Sequence, residues 1–586
     1  MKKTTRRRVV FSMVLVLLFL GIFVVRLVDI QVVRAASLNE EAMGKRSQPT
    51  VVYGTRGQIV DAKGSVLADA VMKYNVTVSP KNAKDFTREG ERGDIKVTAQ
   101  QAATEIAEKT GQTPDEVIGI INDALVADPD SDFAYIKKGI DVETFRALDK
   151  LDIPWLYFEQ DPARTYSNGA VAGNLLGFVG SDGVPLAGLE LSEDSCLAAT
   201  NGEETYERGA DGVRIPGSTV TTKEAKNGGT LQLTINSDLQ WYTQQILAKQ
   251  VAAQGGQWGI AVVMEAKTGK LVAVADYPSV DPNNVAATAE QFRGSQAFSA
   301  PYEPGSTMKI MTAGMLLDQG LADPTTQVYS PTRISYPNGA SFKDSGGHNP
   351  RLTFTGILVE SSNVGISQLA DAMSPETRYD YLRKFGFGET TNVNFLAESA
   401  GILYPSDEWD NQTHYTTMFG QGMTATAIQM ASAYSAVANG GTRMPVSLVE
   451  SCTSADGQVQ DVASSKGKKV ISAAAARTDL DMMENIVTKG WLSRDLTIPG
   501  YRLAAKTGTA QQSNGDGTYS DRYIVTIAGI VPADDPQFIV LTTIANPALN
   551  STKAVAPVWH DLSAHVIKEY RIQPSTSGTP DLPAYY

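Results

Sequence analysis

The chain of 586 residues has only two cysteines and four histidines. Cys196 and Cys452 lie far apart, with no CxxC pair and no ligand-like spacing to His348, His414, His560 or His565. Neither a disulfide framework nor a structural zinc site follows from such a pattern. The cysteines read as two separate thiols, with a lone crosslink as the alternative, and the histidines read as surface or packing residues. Also missing are a Walker A GxxxxGK[ST], an HExxH and a GxSxG elbow, which removes P-loop phosphoryl transfer, zincin chemistry and the α/β-hydrolase nucleophile. There is no basic surplus either, since 51 Lys and Arg face 64 Asp and Glu for a net charge of -13. Residues 1 to 25 hold five of the cations (Lys2, Lys3, Arg6, Arg7, Arg8) and no acid, leaving 46 against 64 in the remainder, or -18. A surface that acidic is a poor partner for nucleic acid phosphates.

What the chain does contain is globular: 42% hydrophobic, 20% charged and 8% aromatic residues, which excludes collagen-like, disordered and purely membrane-embedded classes. At roughly 150 residues per domain the length suggests more than one domain. Val9 to Val25 is an apolar run broken only by Ser12 and Gly21, with Leu27 and Val28 beyond Arg26. At ~1.5 Å per residue it approaches the ~30 Å hydrocarbon thickness if Arg8 and Arg26 snorkel. A membrane anchor over residues 9–29 is expected, with residues 1–8 cytoplasmic and the rest outside by the positive-inside rule. The rival is a cleaved signal peptide ending near Val33-Arg34-Ala35, but the apolar run exceeds the usual ~7 to 15 residues.

Past the anchor, short β-like runs (Gln58 to Val60, Tyr74 to Ser79) alternate with turn signals. Ala102 to Ile121 is helical in spacing, with a break near Gly111 and Pro114. Thr221 to Thr230, with Lys226, Asn227, Gly228 and Gly229, is an internal linker candidate. Gly259 to Glu265 and Leu271 to Ala275 form a hairpin about Gly269. Helical stretches follow, including Ser306 to Leu317 and Ala425 to Ala438. Strand-like runs return at Arg502 to Ala505, Tyr523 to Val531 and Gln537 to Ile544. Strands at both ends with helices between imply an α+β arrangement, an antiparallel sheet closed by distant segments and flanked by helices. Residues 573–586, rich in Pro, Ser and Thr, read as a flexible tail.

The chemistry points to a serine activated by a lysine. In Tyr302-Glu303-Pro304-Gly305-Ser306-Thr307-Met308-Lys309, Ser306 opens an apolar helix and Lys309 lies one turn on, so hydroxyl and amine can meet. The helix dipole there favours developing negative charge. For that amine to act as a base near neutral pH, its pKa must fall from about 10.4, a shift worth roughly 4 to 5 kcal/mol. Burial among Met308, Ile310 and Met311, or a second cation nearby, would supply it. A second SxxK, Ser465 to Lys468, sits in a polar run and reads as a solvated loop. Lys-Thr-Gly also occurs twice. At 267 to 269 it falls in the hairpin turn, with Lys267 facing solvent. At 506 to 508, in Ala505-Lys506-Thr507-Gly508-Thr509, it ends a strand-like run that can accept an extended peptide and its carboxylate. Between them lies Ser361-Ser362-Asn363, which alone reads as a helix N-cap and together with the other two reads as functional.

These three elements resemble the SxxK, SDN-like and KTG set of the penicillin-binding proteins, and the chain is identified as similar to their monofunctional class B transpeptidases. Arg56-Gly57-Gln58-Ile59-Val60-Asp61 with Gly64, Leu67 and Ala68 resembles the RGxIxDxxGxxLA signature of the β-rich pedestal domain. Arg164-Thr165-Tyr166, Leu176-Gly177-Phe178-Val179-Gly180 and Gly188-Leu189-Glu190 resemble that domain's later motifs. Gly420-Gln421-Gly422 and Ala433 to Gly441 resemble the catalytic half. Departures are Ala505 where glycine is common, SSN for SDN, and Ser-Gln-Ala at 295 to 297 where Asn-Arg-Ala is frequent.

The resemblance implies a pedestal or dimerisation domain over 50–220 and a β-lactamase/transpeptidase-like domain over 256–570. It implies acyl transfer on the D-Ala-D-Ala end of a peptidoglycan stem peptide, with Ser306 as nucleophile and Lys309 as base. Ser361 would relay a proton to the leaving amine, and Asn363 would hold the substrate amide and help orient Lys309. Lys506, Thr507 and Thr509 would bind the carboxylate beside Gly508, and the N–H groups of Ser306 and Thr509 would form an oxyanion hole. No metal or organic cofactor is called for. β-Lactams would acylate Ser306, and a membrane glycan polymerase and divisome proteins would be partners. The short cytoplasmic segment and the KTGT form look more like the septal, FtsI-like branch than an elongation enzyme. A D,D-carboxypeptidase or β-lactamase-like hydrolase is disfavoured because it would not need the anchor and pedestal. A silent divisome scaffold is disfavoured because Ser306, Lys309 and Lys506 are all present.

Overall fold

A computed structural model of the chain describes residues 3–35, 37, 47–90, 93–180, 182–207, 215, 217–460, 466–513 and 518–586. It divides into two units, one formed by residues 1–55 and 199–228 and the other by residues 56–198 and 229–586. In the first, Lys3–Val28 is a helix that runs on through one π-type segment, Asp29–Val33. Its exposed span Arg6–Val33 is long and apolar enough to cross a membrane. The same unit holds an antiparallel three-stranded sheet of Ser47–Val52, Gly202–Glu207 and Val220–Lys223. The linker expected at 221 to 230 is therefore structured at both ends, because Val220–Lys223 and Thr230–Leu233 are strands whose backbone groups are paired across a sheet.

The second unit begins with a mixed sheet in the order Val459–Gln460, Val449–Thr453, Thr230–Leu233, Ile59–Val60, Val66–Val78 and Ala134–Ile140, with Leu156–Thr165 also pairing Val66–Val78. Helices Ala99–Thr110 and Pro114–Ala127 cover it. Each opens on a capping box, Thr98 with Gln101 and Thr113 with Glu116, which satisfies orphan N–H groups at the helix start. Gly111 turns the chain between them in the left-handed region. Ile106, Val117, Ile136, Leu148 and Trp155 close the small core beneath.

The pedestal signatures converge on one buried carboxylate. Glu190 is fully buried and accepts from Arg56 Nε at 2.7 Å, Arg164 Nε at 2.6 Å and Tyr166 Oη at 3.2 Å. Arg164 also donates to the Gly57 carbonyl. Two guanidiniums offset the cost of burying the charge, whereas losing either would leave it uncompensated.

Cys196 and Cys452 are joined in a disulfide, correcting the expectation of separate thiols. The pairing follows from sheet register rather than sequence. Cys452 faces Leu231 across the Thr230–Leu233 strand, and the Cys196 carbonyl accepts from Gly229. The two Cα atoms are thereby held 6.1 Å apart despite a sequence separation of 256, within bridging range.

The catalytic half is built on a five-stranded antiparallel sheet in the order Leu271–Tyr277, Trp258–Glu265, Phe538–Ala545, Tyr519–Val531, Ala504–Ser513. Both ends of this half of the chain thus supply one sheet. On one face Ile260, Val262, Met264 and Leu541 meet the helices Lys309–Asp318, Ala427–Ala438 and Ala473–Lys489. On the other, Ala261, Val263, Ile527 and Val540 meet Ser237–Ala253 and Ala556–Glu569. Alternation with period two puts apolar residues on both faces. The fully buried Trp559 donates its indole N–H to the Val540 carbonyl at 3.1 Å.

Residues 573–586 lack regular structure but are packed, against the expectation of a flexible tail. Asn485 donates to the Pro580 carbonyl at 2.9 Å and accepts from the Leu582 N–H at 3.2 Å. Thr353 donates to the Pro583 carbonyl, and Ala584 is buried against Gly356. Proline-rich composition removes N–H donors, yet the carbonyls left over are taken up by these side chains.

Candidate functional site

Ser306 lies in a 3₁₀ turn, Gly305–Met308, that leads into the helix Lys309–Asp318. The turn is fixed from several sides. Gly305 has φ +54°, a conformation that favours glycine, and its N–H donates to the Gly420 carbonyl at 2.9 Å. Thr307 Oγ1 donates to the Pro304 carbonyl at 2.6 Å, and the buried Tyr434 hydroxyl donates to the Thr307 carbonyl at 3.0 Å. Glu303 Oε1 accepts from the Gly422 N–H and the Tyr519 hydroxyl.

Lys309 is fully buried, with Nζ 3.0 Å from Ser306 Oγ and 3.3 Å from Ser361 Oγ; it also contacts the Ser361 carbonyl. Burial holds the amine well below the ordinary lysine range, the Lys506 charge pushes the same way, and Asp344 opposes both. Lys506 is also fully buried, and burial brings its pKa down to about 7. Its Nζ lies 2.8 Å from Ser361 Oγ and 3.0 Å from the Thr507 carbonyl. Neither ammonium has a carboxylate within ion-pair distance among the described residues. Such an arrangement favours one or both amines in the neutral state.

Lys506 belongs to the strand Ala504–Ser513, which runs through the KTGT residues rather than ending at them. The apolar signal faded at Thr507 because strand geometry there is set by pairing with Tyr519–Val531, not by hydrophobic alternation. This strand is the sheet's edge, so one row of backbone groups is open to an added chain. Gly508 lets it approach the nucleophile turn, since a Cβ there would stand 3.0 Å from both the Pro304 carbonyl and the Thr307 methyl. Thr507 is half-buried and Thr509 exposed, two apart on one face of the strand.

The middle motif divides its work. Ser362, not Ser361, caps the helix Asn363–Ala370, its Oγ accepting the Gly365 N–H at 2.8 Å. Ser361 sits just before it at φ +58°, a costly conformation for a residue with a Cβ and of a kind that gathers at functional sites. Asn363 Nδ2 donates to the Lys343 carbonyl at 3.1 Å, and among the described residues no hydrogen bond joins it to Lys309. The contacts on Lys309 expected of Asn363 are made by Ser361.

Sequence reasoning missed Asp344. Its carboxylate accepts from Ser362 Oγ at 2.8 Å and from the Asn363 and Val364 N–H groups, and it lies 2.7 Å from His348 Nε2. Burial opposes the charge on His348, but hydrogen bonds to Asp344 and the Asn349 carbonyl override it and raise its pKa. His348 is therefore a partner of the site's framework and not an isolated packing residue. The hairpin motif is as expected: Gly269 has φ +78° and the exposed Lys267 pairs with Asp535. Ser465 of the second SxxK lies outside the described residues.

Comparison with known proteins places this geometry. Residues 259–564 match the penicillin binding protein transpeptidase domain and residues 51–233 the penicillin-binding protein dimerisation domain. The chain is 33% identical to penicillin-binding protein PbpB of Mycolicibacterium smegmatis, over 97% of this chain and 91% of that one. The chain belongs to the class B penicillin-binding proteins. It is also 30% identical to peptidoglycan D,D-transpeptidase FtsI of Escherichia coli, over 97% of this chain and 92% of that one. Among solved structures, a peptidoglycan synthetase from Bifidobacterium adolescentis superposes with a TM-score of 0.71 at 30% identity, covering 92% of this chain and all of that one. Penicillin binding protein 3 of Mycobacterium tuberculosis in complex with aztreonam gives 0.69 at 28%, with the same coverage.

Within the class B penicillin-binding proteins, the departures noted from sequence have local explanations. Ser362 stands where the middle motif commonly has aspartate, and Asp344 brings a carboxylate to the same helix start from another segment. Ser295 donates to the buried Asp276 at 2.7 Å. Ala505 faces the apolar layer that contains Trp559.

Proposed function

We propose that this class B penicillin-binding protein forms peptidoglycan cross-links by a serine acyl-enzyme route. The reading is carried by one observation, a fully buried lysine amine 3.0 Å from the Ser306 hydroxyl with a second buried lysine joined to it through Ser361. Lys309, neutral in the resting site, takes the Ser306 proton as Oγ attacks the penultimate carbonyl of a stem peptide. The Ser306 and Thr509 N–H groups receive the developing oxyanion. Ser361 passes a proton to the departing D-Ala amine. Lys506, Thr507 and Thr509 hold the terminal carboxylate while the peptide lies along the open edge beside Gly508. The amine of a second stem peptide then displaces Ser306 from the acyl-enzyme. Asn363 faces the substrate amide.

The anchor holds the protein in the cytoplasmic membrane with residues 1–8 inside and the catalytic half outside. The Cys196–Cys452 disulfide supports that orientation, since such bonds persist in oxidising compartments. We place the activity at the division septum, alongside a membrane glycan polymerase and other divisome proteins, on the strength of the FtsI and PbpB likeness.

Fluorescent penicillin labelling of the full chain tests the chemistry. Ser306→Ala loses the label and Ser465→Ala keeps it; a label that survives Ser306→Ala would overturn the assignment. For location, depletion in the source cell gives filaments with blocked septa, whereas rounding would point to elongation.

A further inference from the structure

A cavity of about 500 Å³ lies between the loop 390–394 and the segment 443–449. None of Ser306, Lys309, Ser361 or Lys506 lines it. Its lining includes apolar residues, among them Met444, Pro445, Val446 and Leu448, together with Thr390, Asn392 and Asn394. Three cations, Arg443, Lys466 and Lys468, also line it. The acidic lining residue, Glu193, already accepts a hydrogen bond from Asn394 at 3.2 Å. Glu389 pairs with Arg443 but is shared with Arg383. Lys466 and Lys468 are exposed and have no acidic partner among the described residues.

In a chain of net charge -13, a concave surface with this local cationic excess selects for anions. Its size lies within the ordinary range for organic ligands and far exceeds the room that a bare inorganic ion needs. Apolar side chains, amides and cations in one lining together match small side chains, peptide groups and carboxylates. We propose that this cavity is a second, non-catalytic binding site for a short acidic peptide. Asn392 and Asn394, both in the cavity lining, hold left-handed backbone, at φ +60° and +59°. Ser432, in the cavity wall, lies on the helix Ala427–Ala438, whose Tyr434 braces the Thr307 carbonyl. A bound peptide therefore touches the helix that supports the nucleophile turn.

The test titrates acetyl-Ala-Glu-Ala into the full chain in detergent micelles, after penicillin has filled the Ser306 site, with heat of binding as the readout. Saturable binding at millimolar or lower concentration is expected to persist in the penicillin-treated protein. It should weaken about tenfold in the double variant Lys466→Gln/Lys468→Gln, whose exposed positions leave folding intact, and by a similar factor for acetyl-Ala-Gln-Ala. Inorganic phosphate at equal concentration should not displace the peptide. The proposal is overturned by absence of saturable binding up to about 10 mM, by affinity unchanged in the double variant, or by phosphate competing as well as the peptide. Penicillin occupancy is followed separately by mass. Failure of the Ser306 assignment would show as a missing adduct, while the Lys466→Gln/Lys468→Gln comparison still judges the cavity.

Discussion

The Ser361 hydroxyl stands 2.8 Å from Lys506 Nζ, which makes a single side chain the bridge between the KTGT strand and the SxxK helix. Because that hydroxyl also lies 3.3 Å from Lys309 Nζ, the two amines share one hydrogen-bonding partner.

Substitution at neighbouring serines should separate chemistry from stability. Ser361→Ala is expected to slow acylation by penicillin by on the order of 10²-fold, with little change in melting temperature. Ser362→Ala should instead remove the cap of Asn363–Ala370 and cost about 1 kcal/mol, seen as a lower melting temperature. Stopped-flow acylation and thermal unfolding of both variants check the pair. The division of roles fails if Ser361→Ala melts early and acylates normally.

The pH profile of acylation follows from the lysine pair. The reaction needs Lys309 neutral, so its rate rises with pH through the Lys309 pKa, which burial and then the Lys506 charge hold low. Lys506→Met removes that second influence. The residual acylation should therefore show its acid limb at higher pH than the wild type, in addition to weaker binding. An acid limb that stays in place would mean that the two amines do not sense each other.

His348 ties the Asp344 loop to the same helix. Its folded pKa is raised above the ordinary histidine value of about 6.5. Its contribution to stability is therefore fully present below about pH 6.5 and is lost as pH rises through the folded pKa. Denaturant unfolding of wild type and His348→Gln should differ most near pH 5.5 to 6 and converge on the alkaline side. A gap that widens with pH would contradict the pairing with Asp344.

Removing residues 573–586 should lower the melting temperature by several degrees, because Asn485 and Thr353 lose buried partners worth about 1 kcal/mol each. Penicillin labelling per folded molecule should persist. Unchanged thermal stability would mean that the tail's packing contributes nothing.

How much of this was legible in the sequence depended on the range of the interactions. Ser306 and Lys309 are one helical turn apart, so local spacing was enough to join them. The strands of the central sheet were readable because continuous apolar runs mark Trp258–Glu265 and Phe538–Ala545 without reference to distant residues, although their order was not. Asp344 left no trace, since it lies in a polar loop without periodicity and its role comes from where residues 362 to 364 fold. Cys196 and Cys452 meet through strand register, which no spacing encodes. The tail misled because its composition is that of a linker, while its ordering depends on side chains almost a hundred positions away.

The covalent bond between Cys196 and Cys452 ties the short helix Asp194–Leu197 to a strand from the catalytic half. Preparations made in a reducing cytosol, or stored with thiol reagents, would lack this staple while keeping every group around Ser306. Such material would bind penicillin in a freshly prepared sample yet lose activity sooner on warming, and batches could then differ by history alone. Export to an oxidising compartment during expression is the direct remedy.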